Sequence, residues 1–391
     1  MTFPLVRLDE CSRIVAGATP STNQSEYWNG EFFWVTPADL SKLEGPTISA
    51  TPRTITQAGL ASCAAELLPP NSVLLSSRAP IGHVAINTVP MATNQGFKSF
   101  VPQPDKLDAG YLYHWLRANR NYLEGLGNGA TFKEVSKAVV SRIQVPLPPL
   151  DAQQRIAAIL DQADDLRRKR REALNKLSAL PLSIFSRKFG DPTTNPKKLP
   201  STFLGDVAKF GSGGTPPKSV GRYWSGSFPW VSPKDMKALR IHTAEDAISE
   251  EVFSATSLKK VPPGTPLIVV RGMILAHTVP IAMAVTELAI NQDMKSIYFD
   301  KTIVPEFGLW CLKAQHQSIL TKVASAAHGT KRLDTDVLKS LPILAPPISE
   351  QVSFVSLINN WSSVIETATH QKERLEGFFA SLQHRAFRGE L

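Results

Sequence analysis

The chain carries one long pattern twice, and this duplication limits its possible folds more than any property of its composition. Near the start runs Gly17-Ala18-Thr19-Pro20, then Tyr27-Trp28-Asn29-Gly30, then Trp34-Val35 and Asp39. In the second half runs Gly213-Gly214-Thr215-Pro216, then Tyr223-Trp224-Ser225-Gly226, then Trp230-Val231 and Asp235, each at an offset of 196 residues. Later pairs drift slightly: Arg78 with Arg271, Asn94-Gln95 with Asn291-Gln292, Lys98 with Lys295, Thr131 with Thr330. Pro148-Pro149 then matches Pro346-Pro347, and Gln153 matches Gln351. Tryptophan is rare, so four aligned tryptophans do not coincide by chance. A repeat this long means two copies of one structural unit.

Each copy has two parts. The first, about 150 residues, is rich in Gly, Pro, Thr and short apolar runs. Val73-Leu74-Leu75 and Leu267-Ile268-Val269-Val270 are predicted buried strands, each preceded by a Pro-Pro turn. Tyr111–Leu126 and Glu306–Val323 are predicted helices, which makes each globule mixed α+β. The second part is a long helix opened by proline, with Asp151 and Ser349 as candidate N-caps. Its apolar residues recur with a period of seven, in alternating steps of three and four. The predicted seam is Ile156, Ile159, Ala163, Leu166, Arg170, Ala173, Leu177, Leu180 and Ile184 in the first helix. In the second it is Phe354, Leu357, Trp361, Val364, Ala368, Gln371, Leu375, Phe378 and Leu382. Pro181 is expected to kink or end the first helix near Leu180. The segments are therefore 1–150, 151–198, 199–347 and 348–391. The expected architecture is α+β and pseudo-twofold: two globules in tandem, separated by two long helices that form an antiparallel coiled coil.

The formal net charge is +9. It is spread unevenly over the four segments, at +1, +5, +4 and −1 in order. A basic balance suits an anionic partner, but this one is mild. The basic run Arg167-Arg168-Lys169-Arg170-Arg171 reads first as a solvated helix face. No apolar stretch is long enough for a bilayer. Met1–Glu10 carries Arg7, Asp9 and Glu10 in place of an apolar core, so no secretory signal is expected. Cys11, Cys63 and Cys311 lie too far apart for a zinc pair, and their odd number fits reduced thiols in a cytoplasmic protein. The eight histidines show no metal-ligand spacing. Gly211–Ser219 looks faintly like a phosphate loop, but Pro217 stands where the glycine before the lysine should be, and prolines remove amide donors. No nucleophile–base arrangement and no Asn/Asp-Pro-Pro-aromatic methyltransferase loop is present, so no catalytic residue, metal or cofactor is expected.

The order of these features resembles the specificity subunits of Type I restriction–modification systems, over essentially the whole chain. Gly-x-Thr-Pro, Tyr-Trp-x-Gly and Trp-Val occur in both halves. Pro-Leu-Pro-Pro-Leu-Asp-Ala-Gln-Gln at 146–154, and its repeat Pro346-Pro347-Ile348-Ser349-Glu350-Gln351, look like the family's junction between globule and helix. Phe189-Gly190-Asp191-Pro192 and Phe387-Arg388-Gly389-Glu390-Leu391 look like the ends of its helical regions. The resemblance implies two target-recognition domains, each reading half of an asymmetric, interrupted double-stranded DNA site. It implies helices that separate those domains and help dock two modification (methyltransferase) subunits, with restriction subunits joining that core. In such systems S-adenosylmethionine belongs to the modification subunits, and ATP and magnesium to the restriction subunits.

The candidate DNA contacts follow from residue type. Arg78 and Arg271 leave strand ends and suit a base edge or phosphate, or a structural ion pair. The amides Asn94, Gln95, Asn291 and Gln292 suit adenine, or a turn. Lys98 and Lys295 suit phosphate, or plain solvation. Lys133, next to Thr131-Phe132, and Lys331 and Arg332, next to Thr330, lie in loops before the helical junctions, where binding residues commonly sit. Trp28, Trp34, Trp224 and Trp230 suit a core better than a stacking platform. Two other classes remain open: an enzyme with an unrecognised site, and a coiled-coil scaffold that binds proteins. A specificity subunit of a related methylation-based defence system is a third alternative.

Overall fold

A computed structural model of the chain describes residues 3–129, 133–325 and 329–391. Thr131 and Phe132 lie outside the described residues. The chain forms two compact units, one of residues 1–173 with 368–391 and one of residues 174–367. Both long helices are therefore divided between the units, and the units cut across the four sequence segments.

In the first unit a five-stranded sheet runs in the order Ser12–Ala16, Lys98–Pro102, Val73–Leu75, Val84–Asn87, Thr47–Ile48. A three-stranded sheet places Trp28–Val35 between Thr54–Ile55 and Met91–Thr93. Successive strand side chains point to opposite faces, so Val73-Leu74-Leu75 needs two cores. It has them. Val73 and Leu75 join a cluster with Phe100, Tyr111 and Leu116, while Leu74 joins one with Val35, Met91 and Phe97. The first cluster also takes in Ile156 and Leu160 of the helix Leu150–Phe189, and Phe379 and Ala386 of the helix Ile348–Arg388.

The second unit repeats this order with Ala208–Ser212, Met294–Phe299, Thr265–Val269, Ile281–Ala284 and Arg240–Ile241. Its smaller sheet places Phe228–Val231 between Asp246–Ile248 and Ala289–Ile290. Its core takes in Phe185 and Phe189 from one long helix and Phe354 and Ile358 from the other. Phe387 meets Tyr111 edge-on at 5.4 Å in the first unit, and Phe189 meets Phe307 edge-on at 5.0 Å in the second. The two Phe-Gly and Phe-Arg-Gly ends thus fill equivalent slots.

Within the first unit the helices run antiparallel. Arg167 meets Glu376 and stacks over Phe379, whereas Arg170, further along, meets Gln371. The period of seven is correct, but half of the predicted seam is displaced. Ile156 and Phe354 are buried, and Ala163, Leu177 and Trp361 are half-buried or packed at the core edge. Ile159, Leu166, Leu357, Val364, Leu375 and Phe378 are instead 37–64% exposed. The buried row lies one residue further on, at Leu160, Leu174, Ile358 and Phe379. The physical reason is a competing surface. Each helix also packs on its globule, and that demand turns the helix toward Leu160 and Ile358, which join the globular cores.

Three further expectations are corrected. The predicted helices 111–126 and 306–323 each break once, at Asn119 and Gln315. There the side-chain amides bind the carbonyls of Trp115 at 2.8 Å and Cys311 at 3.1 Å. Asp151 and Ser349 are not N-caps but lie inside the first turns. The junctions are held instead by Gln153 and Gln351. Gln153 accepts from the amide of Asp108 and donates to the carbonyls of Lys106 and Pro148, at 2.8–2.9 Å. Gln351 makes the same three contacts with Val304, Thr302 and Pro346, at 2.8–3.0 Å.

Finally, Pro181 does not end its helix, which runs on to Phe189. Proline cannot donate to the carbonyl four residues back, here that of Leu177. The indole Nε1 of Trp361 donates to that carbonyl at 3.2 Å. All three cysteines are free, and burial pushes the thiol of Cys11 up to about 11 and that of Cys311 up to about 12. No described helix is long and apolar enough to cross a membrane.

Candidate nucleic-acid interface

The duplicated motifs build a frame. Trp34 Nε1 donates to the carbonyl of Ala18 at 3.1 Å, and Trp230 Nε1 to that of Gly214 at 2.9 Å. Trp28 meets Trp34 edge-on at 5.0 Å, and Trp224 meets Trp230 at 5.1 Å. Asp39 caps Thr36, and Asp235 caps Ser232, each through a backbone bond of 2.8 Å. Gly17 and Gly213 lie so close to the Asn-Gln loops that a Cβ would sit 1.9 Å from the carbonyl oxygen of Asn94, or 2.1 Å from that of Asn291. The motif glycines are there for close approach. The Thr19 hydroxyl binds Gln95 Oε1, and the Thr215 hydroxyl binds Gln292 Oε1.

This frame assigns much of the predicted site to local structure. Asn94 Oδ1 accepts from the amide of Gly96 at 2.9 Å, and Asn291 Oδ1 from that of Asp293 at 3.0 Å. Both asparagines close turns, and Asn291 is buried. Lys98 is also buried, with Nζ 3.0 Å from Glu134 Oε1 and 3.3 Å from Ser77 Oγ. A phosphate at Lys98 would have to displace Glu134. Arg78 lies 3.6 Å from the other oxygen of Glu134. In the first globule Arg78, expected at a base edge, a phosphate or an ion pair, and Lys98, expected at a phosphate or in plain solvation, thus converge on the carboxylate of Glu134, whereas Gln95 and Lys133 are exposed.

The second globule differs at the same place. Arg271 is exposed and has no hydrogen bond or ion pair to its guanidinium among the described residues. Among the described residues the side chain of Lys295 donates to Ser212 Oγ at 3.1 Å, and that of Lys331 to Ser325 Oγ at 2.7 Å. Arg332 pairs with Asp334 at 2.6 Å, and Gln292 is exposed. The structure therefore brings Arg271, Lys331 and Arg332 onto neighbouring strand positions.

One residue that the sequence reasoning passed over is Arg53. Its guanidinium lies 4.1 Å from the ring centre of Trp28 and 4.8 Å from that of Trp34. The strand pairing that places Arg53 beside Trp34 places Asp246 beside Trp230, and Asp246 is paired with Lys234 at 2.9 Å. Nothing in the sequence motif marks this position, because it lies on the partner strand.

Residues 2–176 and 196–377 both match the family model for the Type I restriction modification DNA specificity domain. The chain belongs to this family. A Type I restriction enzyme MjaIX specificity subunit from Methanocaldococcus jannaschii is 32% identical over 65% of this chain and 62% of its own length. The EcoR124I/EcoR124II specificity subunit from Escherichia coli is 31% identical over 42% of this chain and 41% of its own. The matched stretches thus span less than two thirds of either relative. Among solved structures, a chain from a type I R-M system matches with TM-score 0.63 over 100% of this chain and 98% of that one, at 18% identity. The specificity (S) subunit from M. genitalium matches with TM-score 0.53 over 99% and 96%, at 14% identity. These two similarities concern the fold.

Proposed function

We propose that this chain is the DNA sequence-specificity subunit of a Type I restriction–modification complex. Residues 1–150 and 199–347 act as its two target-recognition domains, each reading one half of an asymmetric, interrupted site in double-stranded DNA. Residues 151–198 and 348–391 act as the helical regions. The observation that carries this reading is the double match of the specificity domain, laid onto two globules that share a frame and differ in their charged surfaces. Identical frames with different surfaces suit two readers of two different sequences.

The chain itself performs no chemistry in this reading. It brings two modification subunits, and through them restriction subunits, to the site, in the cytoplasm. The exposed apolar residues of the helices support a docking role. In the first unit Leu166, Ala173, Leu375 and Phe378 line a groove of about 740 Å³, rimmed by Lys169, Arg170 and Arg374. Apolar side chains left exposed beside one another mark an interaction surface.

The test is a domain exchange. The complex of this chain with its modification subunits is used to select binding sites from random duplexes. Replacing residues 1–150 with the first domain of another family member should change one half of the selected site and leave the other intact. Selection of no sequence at all by the original complex, or a change in both halves on exchange, overturns the reading.

A further inference from the structure

The two globules place residues of opposite charge at one equivalent position. In the first, Glu134 lies directly opposite Arg78 in an isolated antiparallel bridge, and the amide of Val135 donates to the carbonyl of Ser77 at 2.9 Å. In the second, Arg332 lies opposite Arg271, and the amide of Leu333 donates to the carbonyl of Val270, again at 2.9 Å. The other edges agree as well: Glu134 bridges Asn128, and Arg332 pairs with Ala324. Glu134 and Arg332 are structural equivalents.

Side chains directly opposed on antiparallel strands share a face, with Cβ atoms about 5 Å apart, and like charges there destabilise the pairing. The first globule relieves this. Glu134 lies within 4 Å of both Arg78 and Lys98, and Lys98 is buried. The second globule relieves it on one side only, because Arg332 pairs with Asp334 while Arg271 has no carboxylate partner among the described residues. Arg271 faces Arg332, and among the described residues Lys295 and Lys331 have only hydroxyl partners. Two carboxylates are near: Asp334 is taken by Arg332 at 2.6 Å, and Asp293 Oδ2 accepts from Asn291 Nδ2 at 3.3 Å. Among the described residues none of Arg271, Lys295 and Lys331 has a carboxylate within ion-pair distance.

We infer that Arg271, Lys295, Lys331 and Arg332 form a phosphate-backbone grip present in the second globule alone, and that Glu134 replaces that phosphate internally in the first. The inference rests on the proposed DNA-reading function and adds an asymmetry to it. The second globule holds DNA through sequence-independent charge, and the first does not do so at this place. An anion beside Arg271 and Arg332 would supply the charge that Asp334 gives to Arg332 alone. A DNA phosphate supplies that charge at a regular spacing.

The experiment measures binding of the chain, in complex with its modification subunits, to a random-sequence duplex over a series of salt concentrations. Each phosphate contact contributes about one unit to the slope of log affinity against log salt. The double variant Arg271→Ala, Lys295→Ala should flatten the slope by about two units. Glu134→Arg should steepen it by about one unit or more, because it adds a cation and frees Arg78 and Lys98. Glu134→Gln, which keeps the shape of the side chain, should steepen it in the same direction if Glu134→Arg does not fold. Slopes that stay unchanged in the double variant, or that do not steepen in either soluble Glu134 variant, overturn the inference while the DNA reading stands. A wild-type complex that does not bind the duplex in a salt-dependent way overturns the reading itself, and the inference with it.

Discussion

The first and second globules share the bonds and ring contacts of their motif frame and differ in charged residues at equivalent positions. The tryptophan pairs, the Thr36–Asp39 and Ser232–Asp235 caps, and the Gln153 and Gln351 clamps superpose bond for bond. Each satisfies a backbone group or fills a core, where replacement leaves a buried polar group unpaired or a void. Arg53 and Asp246 are of opposite charge, as are Glu134 and Arg332, at positions that no core constrains. In the first globule the positive charge lies on the tryptophan pair, and in the second it lies by the loop before the junction. Shared residues therefore report the scaffold, and the residues that set one half-site apart from the other are to be sought where the repeats disagree.

The comparison can be broken most strongly at the phenylalanine slots. Phe189 is fully buried among Phe185, Phe307 and Phe354, so Phe189→Ala should cost the second unit about 4 kcal/mol. Phe387 is only partly buried, and Phe387→Ala should cost the first unit about half of that. Urea midpoints, with hydrogen exchange followed separately in 3–173 and 174–367, check this, and equal losses would show that the slots are equivalent in energy as well as place. The glutamine clamps should instead behave alike. Gln153→Ala and Gln351→Ala each strand one buried and two partly buried partners and should cost about 3 kcal/mol, within about 1 kcal/mol of each other. A clear difference in their thermal midpoints would mean that the two junctions are not one design.

The long helices are sharpened by a smaller change. Trp361→Phe keeps the ring but leaves the Leu177 carbonyl without its donor, for a loss of about 1–2 kcal/mol. The corresponding residue of the other helix is Ala163, which has no side-chain donor. A neutral result in denaturant unfolding would mean that the carbonyl has another partner.

The smallest effect concerns acid. His316 Nε2 accepts from the amide of Val279 at 3.1 Å, which requires the neutral ring. Burial, and then Lys313, hold its pKa below the usual 6.5. The unfolded chain takes up that proton first, so this contribution to stability is present above about pH 6.5 and is lost as pH falls. Arg120 occupies the equivalent position of the first unit, where His83 is also lowered by burial and then by Arg120. His316→Gln should therefore flatten the acid loss of exchange protection in 174–367 only. A change confined to 3–173 would contradict the assignment.

Much of the fold could be read from the residues. The repeat, the buried strand at Val73–Leu75, the proline-opened helices and their period of seven rest on local pattern. The phase of the helices did not, because Ile159 and Leu160 are both apolar and only the globule decides which one turns inward. The donor that Pro181 denies to the Leu177 carbonyl comes from Trp361, a residue 180 positions away from that proline in sequence. In the interface, residue type pointed to Arg78 and Lys98 as readily as to Arg271 and Lys295. What separates the pairs is Glu134 against Arg332, a cross-strand relation visible only once the bridges are formed.

The division of the chain also bears on its synthesis. Residues 174–367 form a contiguous unit, whereas the unit begun by residues 1–173 is closed by 368–391. A growing chain ordinarily folds its N-terminal part first. Here the order in which the units become complete is reversed. The first globule emerges early with the pocket for Phe379 and Ala386 still empty, and the second unit has all its residues before the first one does. Until the last helical turns arrive, the N-terminal half exposes apolar surface to solvent. Premature termination near residue 367 would therefore leave the later-made unit whole and the earlier-made one unfinished.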